Sequence, residues 1–339
     1  MWLNTTWFVL YVAIIAGYVI LDGFDLGVGM LSPFVARTDT EKRILLNSIG
    51  PVWDGNEVWL VLGGGALFAA FPLVYASLFS GFYTAMMLVL FVLILRTVAI
   101  EFRSKRESSR WRAMWDGVFF AASFGITLLL GVALGNVIQG VAVDQAGNMR
   151  LNLLDLLNPY AIAVGATAVA MLSLHGAIFL TQKVEGLLLD RVTKLIPKLM
   201  AVFFTLMTVL MAWTLLLNEE ITTNYKVRLW IAIFPLLGLV AVLVSWRFLL
   251  KKQYLSAFIA SACMIGLLLA TVAAGMYPVL IPSSIDPDYD LTVINAASAS
   301  QTLAVMLVIA VIGLPFVLMY TAGVYFFFRG KVSLDQESY

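Results

Sequence analysis

The chain is poor in the residues that carry most soluble-protein chemistry: among 339 residues it has one cysteine, one histidine and only 12% charged side chains. A lone cysteine, Cys263, can form neither an internal disulfide nor a thiolate metal cluster, and within its apolar run it is expected to pack as a small core residue. A lone histidine, His175, cannot build bis-histidine or several-haem coordination, and a hydrogen-bonded structural or proton-linked role is expected for it. No basic run is interleaved with aromatics, so nothing points to a nucleic-acid partner. The N-terminus lacks a basic region and a small-residue cleavage site, so its first apolar run is read as a retained helix. There is no C-terminal lipidation motif.

What the chain has in excess is apolar surface. It is 62% hydrophobic, with a mean hydropathy of +0.96, far above soluble domains. This predicts an all-α polytopic membrane protein forming one integral domain over residues 1–339. Apolar runs long enough to cross about 30 Å of hydrocarbon recur about nine times, over approximately 6–26, 52–71, 74–101, 115–139, 158–182, 196–217, 228–249, 254–277 and 299–327. With nine spans, all Lys and Arg except Arg96, Arg150, Lys226 and Arg228 fall on one face. By the positive-inside rule that face is cytoplasmic, which puts the N-terminus outside and the C-terminal Tyr339 inside. Trp2, Trp7, Trp53, Trp111, Trp115, Trp230 and Trp246 lie near span ends and are read as interfacial anchors. The outer segment from Tyr277 to Pro287, rich in proline and serine, is expected to form a turn-rich cap.

Against this background the intramembrane charges stand out. An ionised carboxylate near mid-bilayer costs about 2.5 to 3.5 kcal/mol on insertion scales, so it persists mainly where it faces protein, water or a transported charge. Asp22 and Asp25 are spaced to share one helix face, as are Asp54 and Glu57. The inferred topology puts both pairs in the cytoplasmic half, with Arg96, Glu101 and Asp116. One reading is a proton-uptake path, because partly dry carboxylates have tunable proton affinity. The other is helix capping and Arg pairing, with Asp54 and Asp116 near helix starts. Gly23 and Gly27 have the G-x-x-x-G spacing, and Gly63, Gly64 and Gly65 form a second small-residue patch; both are read as helix-packing seams. They are not phosphate loops, since no strand precedes them.

These strings also resemble a known family. Asp22-Gly23-Phe24-Asp25-Leu26-Gly27-Val28-Gly29, Trp53-Asp54-Gly55-Asn56-Glu57-Val58-Trp59, Trp111-Arg112-Ala113-Met114-Trp115-Asp116, Gly135-Asn136-Val137-Ile138-Gln139-Gly140 and Tyr320-Thr321-Ala322-Gly323-Val324-Tyr325 resemble subunit II of cytochrome bd quinol oxidases, in order and over nearly the whole chain. The resemblance implies a nine-helix subunit of the bacterial inner membrane, paired with a similar subunit I. That partner would hold two b-type haems and one haem d and oxidise quinol, and the complex would reduce oxygen to water with cytoplasmic protons. This chain would ligate no haem and no metal and carry no catalytic residue. Single-helix accessory subunits and a bound quinone or lipid would be further partners. Asp25 and Asp54 match the acids associated with the family's proton path, and Arg96 and Asp116 match charged positions nearby. Glu57 and His175 stand where some relatives carry glutamine. The proton-path set is therefore Asp25, Asp54, Glu57, Arg96 and Asp116. A proton-coupled secondary transporter is the alternative from another class, although the acids gather near one face and no internal repeat of the transporter kind is evident. A purely structural assembly subunit is a third.

Overall fold

The computed structural model describes residues 1–149 and 151–334, with side chains at all of these except 217, 219 and 220. Arg150, expected on the outer face, and Tyr339 lie outside the described residues. The chain is an all-α bundle: α1 (Trp2–Val35), α2 (Asp39–Ile49), α3 (Trp53–Ala70), α4 (Pro72–Gly81), α5 (Tyr83–Phe102), α6 (Ser109–Gln139), α7 (Pro159–Lys183), α8 (Gly186–Leu217), α9 (Glu219–Val227), α10 (Ile233–Leu250), α11 (Tyr254–Met276) and α12 (Ser300–Phe327). Two short strands, β1 (Val279–Ile281) and β2 (Leu291–Thr292), pair antiparallel between α11 and α12.

Eight helices are long and apolar enough to cross a membrane among the described residues. The expected ninth span, 52–71, coincides with α3, whose 18 residues cover about 27 Å at 1.5 Å per residue, but α3 is not one of those eight. Its first turns carry Asp54 and Glu57. The expected span 74–101 is two helices instead. Pro72 opens α4 at its first turn, where a missing N–H costs nothing, and the chain breaks again at Phe82 before α5.

The two ends of the bundle differ. At one end lie α2, the C-terminal ends of α1, α5, α7 and α12, and the basic residues expected from the sequence on the cytoplasmic face. There Thr38 and Glu41 form a reciprocal capping box at the start of α2. At the other end the strands and the segments 140–149 and 151–158 make a cap. Asn4 Nδ2 donates to the Val293 carbonyl at 2.7 Å and Ser298 N to the Ala70 carbonyl at 2.9 Å. Asp290 accepts from Ser283 N at 2.7 Å.

Helix α1 runs through the middle, packed on α3, α6, α7 and α11. Glycine allows its closest crossing. A Cβ on Gly27 would sit 2.2 Å from the Leu172 carbonyl and 2.8 Å from Gly176 Cα, backbone atoms that cannot yield separately. Gly23 and Gly63 also lie in seams, against Leu172 and Ile15. Gly64 and Gly65 do not: a Cβ there would meet nothing within 4 Å among the described residues. Two further expectations need correction. Cys263 is exposed on α11 rather than in the core, because that helix is apolar all round and composition cannot show which face is inward. Trp7 and Trp53 are buried rather than anchoring at an interface, and the Trp7 indole donates to the Leu303 carbonyl at 2.9 Å.

Candidate functional site

The buried charges meet where α1, α3, α5 and α12 converge toward the basic end. Asp22, Asp25 and Arg96 are all 0% exposed. Arg96, on α5, places Nη2 2.6 Å from Asp22 Oδ1 and Nη1 3.9 Å from Glu57 Oε2. Asp25 lies one turn along α1 from Asp22 and accepts a 2.7 Å hydrogen bond from Asn56 Nδ2. The Asn56 amide also donates to the Leu21 carbonyl at 3.2 Å and accepts from the Tyr325 hydroxyl at 2.8 Å. Since the Leu21 carbonyl can only accept, the amide orientation follows from the network. A string of groups from Tyr325 on α12 through Asn56 on α3 thus fixes Asp25 on α1.

The cluster is under-satisfied. Asp22 Oδ2, Asp25 Oδ1, Glu57 Oε2 and Arg96 Nε and Nη1 are buried without a hydrogen-bond partner among the described residues. Three carboxyls share one guanidinium, so with all of them ionised the cluster would carry two uncompensated negative charges. Buried polar atoms of this kind are normally met by ordered water or by a mobile charge.

The other expected members are placed differently. Asp54 is exposed in the first turn of α3, one turn before the half-buried Glu57. An acid there is favoured by the unpaired helix N–H groups. Asp116 belongs to a separate ion-pair lattice at the basic end. It accepts from Arg103 Nε at 2.5 Å and Lys42 Nζ at 2.9 Å, while Arg103 and Arg112 both reach Asp39 at 2.8 Å. Arg191 pairs with Glu41 alongside. Burial alone would raise the Asp39 carboxyl, but the Arg103 hydrogen bond and charge, with Arg112 and Arg43, hold it below its ordinary 3.8. Burial likewise opposes, and the Arg37 and Thr38 N–H groups with Arg191 outweigh it, so Glu41 is held below 4.5.

His175 is 0% exposed and both ring nitrogens are engaged. Nε2 lies 3.1 Å from the Ile20 carbonyl and must donate to it, and Nδ1 lies 2.8 Å from the Ser261 hydroxyl. Its ring stacks on Phe258 at 4.9 Å. The geometry does not fit an iron ligand, because either nitrogen would have to give up a buried partner. Among the described residues no three His, Cys, Asp or Glu side chains gather as a metal site.

Residues 3–328 match the family described as cytochrome bd terminal oxidase subunit II. The chain belongs to that family. It is 37% identical to cytochrome bd-I ubiquinol oxidase subunit 2 of Escherichia coli (strain K12), over 98% of this chain and 96% of that one. It is 34% identical to cytochrome bd ubiquinol oxidase subunit 2 of Bacillus subtilis (strain 168), over 98% and 97%. Its fold is similar to that of a chain in the bd oxidase structure from Geobacillus thermodenitrificans, with a TM-score of 0.81 at 18% identity, covering 97% of this chain and 99% of that one. Membership of the cytochrome bd subunit II family makes this chain a multi-pass subunit of a bacterial inner-membrane terminal oxidase. The residue-level reading missed Asn56, Tyr325 and Tyr18. Asn56 offered a faint signal, as a third polar side chain in the first turns of an otherwise apolar helix.

Proposed function

We propose that this chain is the non-haem-ligating subunit of a quinol:oxygen oxidoreductase and conducts protons from the cytoplasm toward the oxygen-reducing centre in its partner. In this reading subunit I holds two b-type haems and one haem d and oxidises quinol, while this chain scaffolds it. The haems supply the electron transfer and oxygen chemistry; the residues here hold and move protons, contributing to proton motive force. The observation that carries the reading is the fully buried Asp22–Asp25–Arg96 cluster, with more carboxyls than cations and several orphaned polar atoms. Water filling those valences would link Glu57, half-buried at the rim, to Asp25 inside. Asp54, exposed one turn earlier, is the collecting group at the entrance. Asn56 and Tyr325 orient Asp25, and Asp116 serves the surface lattice near that entrance. Engagement of both His175 nitrogens supports assigning the haems to the partner. An apolar cavity of about 230 Å³ near the cap, bordered by Phe8, Leu134, Val272 and Met276, suits a segment of a quinone tail or lipid chain. A single-helix accessory subunit would find exposed apolar surface on α12.

An amide of the same shape accepts the Asn56 hydrogen bond but cannot cycle a proton. Asp25→Asn and Asp54→Asn should therefore each lower oxygen consumption per haem, Asp25→Asn by about tenfold or more, with complex yield and haem content retained. Loss of complex at full activity per remaining haem would instead mark these acids as structural. The orientation is tested separately: a reporter fused after Tyr339 should be cytoplasmic and one near Asp286 external.

A further inference from the structure

At the basic end the segment after α12 folds back as a strap and borders an open cavity of about 420 Å³ between itself, the α2–α3 turn and the end of α7. Gly330, with φ +102°, makes the bend. The strap is held by an exchange of caps. Lys331 Nζ donates to the Thr181 and Val184 carbonyls at 2.9 and 2.7 Å, at the C-terminus of α7. Lys183, the last residue of α7, donates to the Phe328 carbonyl at 2.6 Å, and Val332 N donates to the Lys183 carbonyl at 2.9 Å. Three cations, Lys183, Arg329 and Lys331, line this cavity, and none of its described lining residues is acidic. Both lysines spend their hydrogen bonds on carbonyls. Arg329 lies over the Phe326 ring at 4.0 Å, and among the described residues no carboxylate pairs with it. Glu185 is the acid that acts on Lys331, from outside the lining.

We infer that this cavity binds a phosphate group, and that the group is the headgroup of an anionic phospholipid of the surrounding leaflet. The phosphate would lie among Lys183, Arg329 and Lys331, beside which no acid stands among the described lining residues. The argument for a lipid source is the rim. Phe326, Phe327 and Phe328 are 64%, 79% and 46% exposed at the very end of a membrane helix, offering aromatic surface to acyl chains beside the cationic pocket. Basic pockets between helix ends at the cytoplasmic surface suit anionic headgroups in this way. This assignment is independent of the proton path, because the Tyr325 hydroxyl in the cavity wall is already committed to Asn56.

The test is native mass spectrometry of the purified complex, titrated in separate arms with dioleoylphosphatidylglycerol, dioleoylphosphatidylcholine and inorganic phosphate. The double variant Arg329→Gln, Lys331→Gln should lose one tightly held phosphatidylglycerol adduct, its affinity falling about 25-fold at about fivefold per charge. Phosphatidylcholine binding should not change. Arg329→Gln alone, which breaks none of the strap's caps, should give the fivefold step if the double variant fails to assemble. Displacement of the adduct by millimolar phosphate would show that headgroup phosphate alone is recognised and would admit free phosphate as a second source; no displacement would assign the site to lipid. Equal phosphatidylglycerol adducts in wild type and Arg329→Gln, or an equal loss of phosphatidylcholine, would overturn the inference.

Discussion

Removing Arg96 should be the most damaging single change to the buried cluster, and the damage should depend on Asp22. Both side chains are 0% exposed and 2.6 Å apart, so solvent screening does little to weaken the pair. Arg96→Gln leaves Asp22, Asp25 and Glu57 without any cation, and breaking a buried pair from one side costs about 3 to 5 kcal/mol. Asp22→Asn is milder. It leaves Arg96 with Glu57 at 3.9 Å and keeps an acceptor in place, for about 1 to 3 kcal/mol. In the double variant the charge that made each single loss expensive is gone, so the two costs should fall short of their sum by about 2 kcal/mol. Large membrane complexes unfold irreversibly, so the readout is the thermal-inactivation rate of the purified complex at one temperature. A coupling of about 2 kcal/mol appears there as a double variant inactivating roughly 30-fold more slowly than multiplied single effects predict. Rates that simply multiply, within about twofold, would refute the claim that the two groups act as a buried pair.

Gly27→Ala should lower complex yield and shorten thermal half-life, because its Cβ would collide with the α7 backbone 2.2 Å away; a cost of about 1 to 3 kcal/mol is expected, and Gly176→Ala at the same crossing should add less than its own share. His175→Ala should destabilise the complex by about 2 to 4 kcal/mol, through the cavity and the lost hydrogen bonds to the Ile20 carbonyl and the Ser261 hydroxyl, yet leave every haem band in the visible spectrum of whatever assembles. Asp39 and Glu41 titrate below their ordinary 3.8 and 4.5, so their contribution is full above those values and is lost as pH falls through them toward the lower folded values. Thermal half-life should fall as pH is lowered below about 5, and Arg103→Gln, which removes one of the two arginines on Asp39, should flatten that drop.

The reach of the sequence followed the physics of each signal. Spans defined by long apolar runs ending at charge clusters, such as 254–277 and 299–327, agree with α11 and α12 to within a residue or two, because hydropathy and helix length report the same membrane thickness. The break at Phe82 was hidden because apolar residues continue on both sides, and nothing in composition marks a helix that stops without a polar loop. Asp116 was grouped with Asp25 because topology assigns a half of the membrane, not a depth. Three-dimensional proximity instead gives Asp116 to Lys42 and Arg103, and Asp25 to Asn56. Tyr325 reads as one more aromatic near a span end, and only the approach of α12 to α3 makes its hydroxyl part of the cluster. Gly64 and Gly65 look like Gly23 and Gly27 in composition, yet the latter pair faces α7, while a Cβ on either of the former would meet nothing within 4 Å among the described residues.

Proton uptake during a single turnover tests the central claim most directly. The fully reduced complex, reconstituted in liposomes, is mixed with oxygen while the membrane voltage and the haem spectra are followed together. In the wild type, charge separation should accompany oxygen reduction. In Asp25→Asn the early haem transitions should keep their wild-type rates, while the voltage-generating proton-uptake phase slows by about tenfold or more. Unchanged rate and amplitude of that phase in Asp25→Asn, with normal haem content, would contradict the account and leave the buried cluster a structural feature of the bundle.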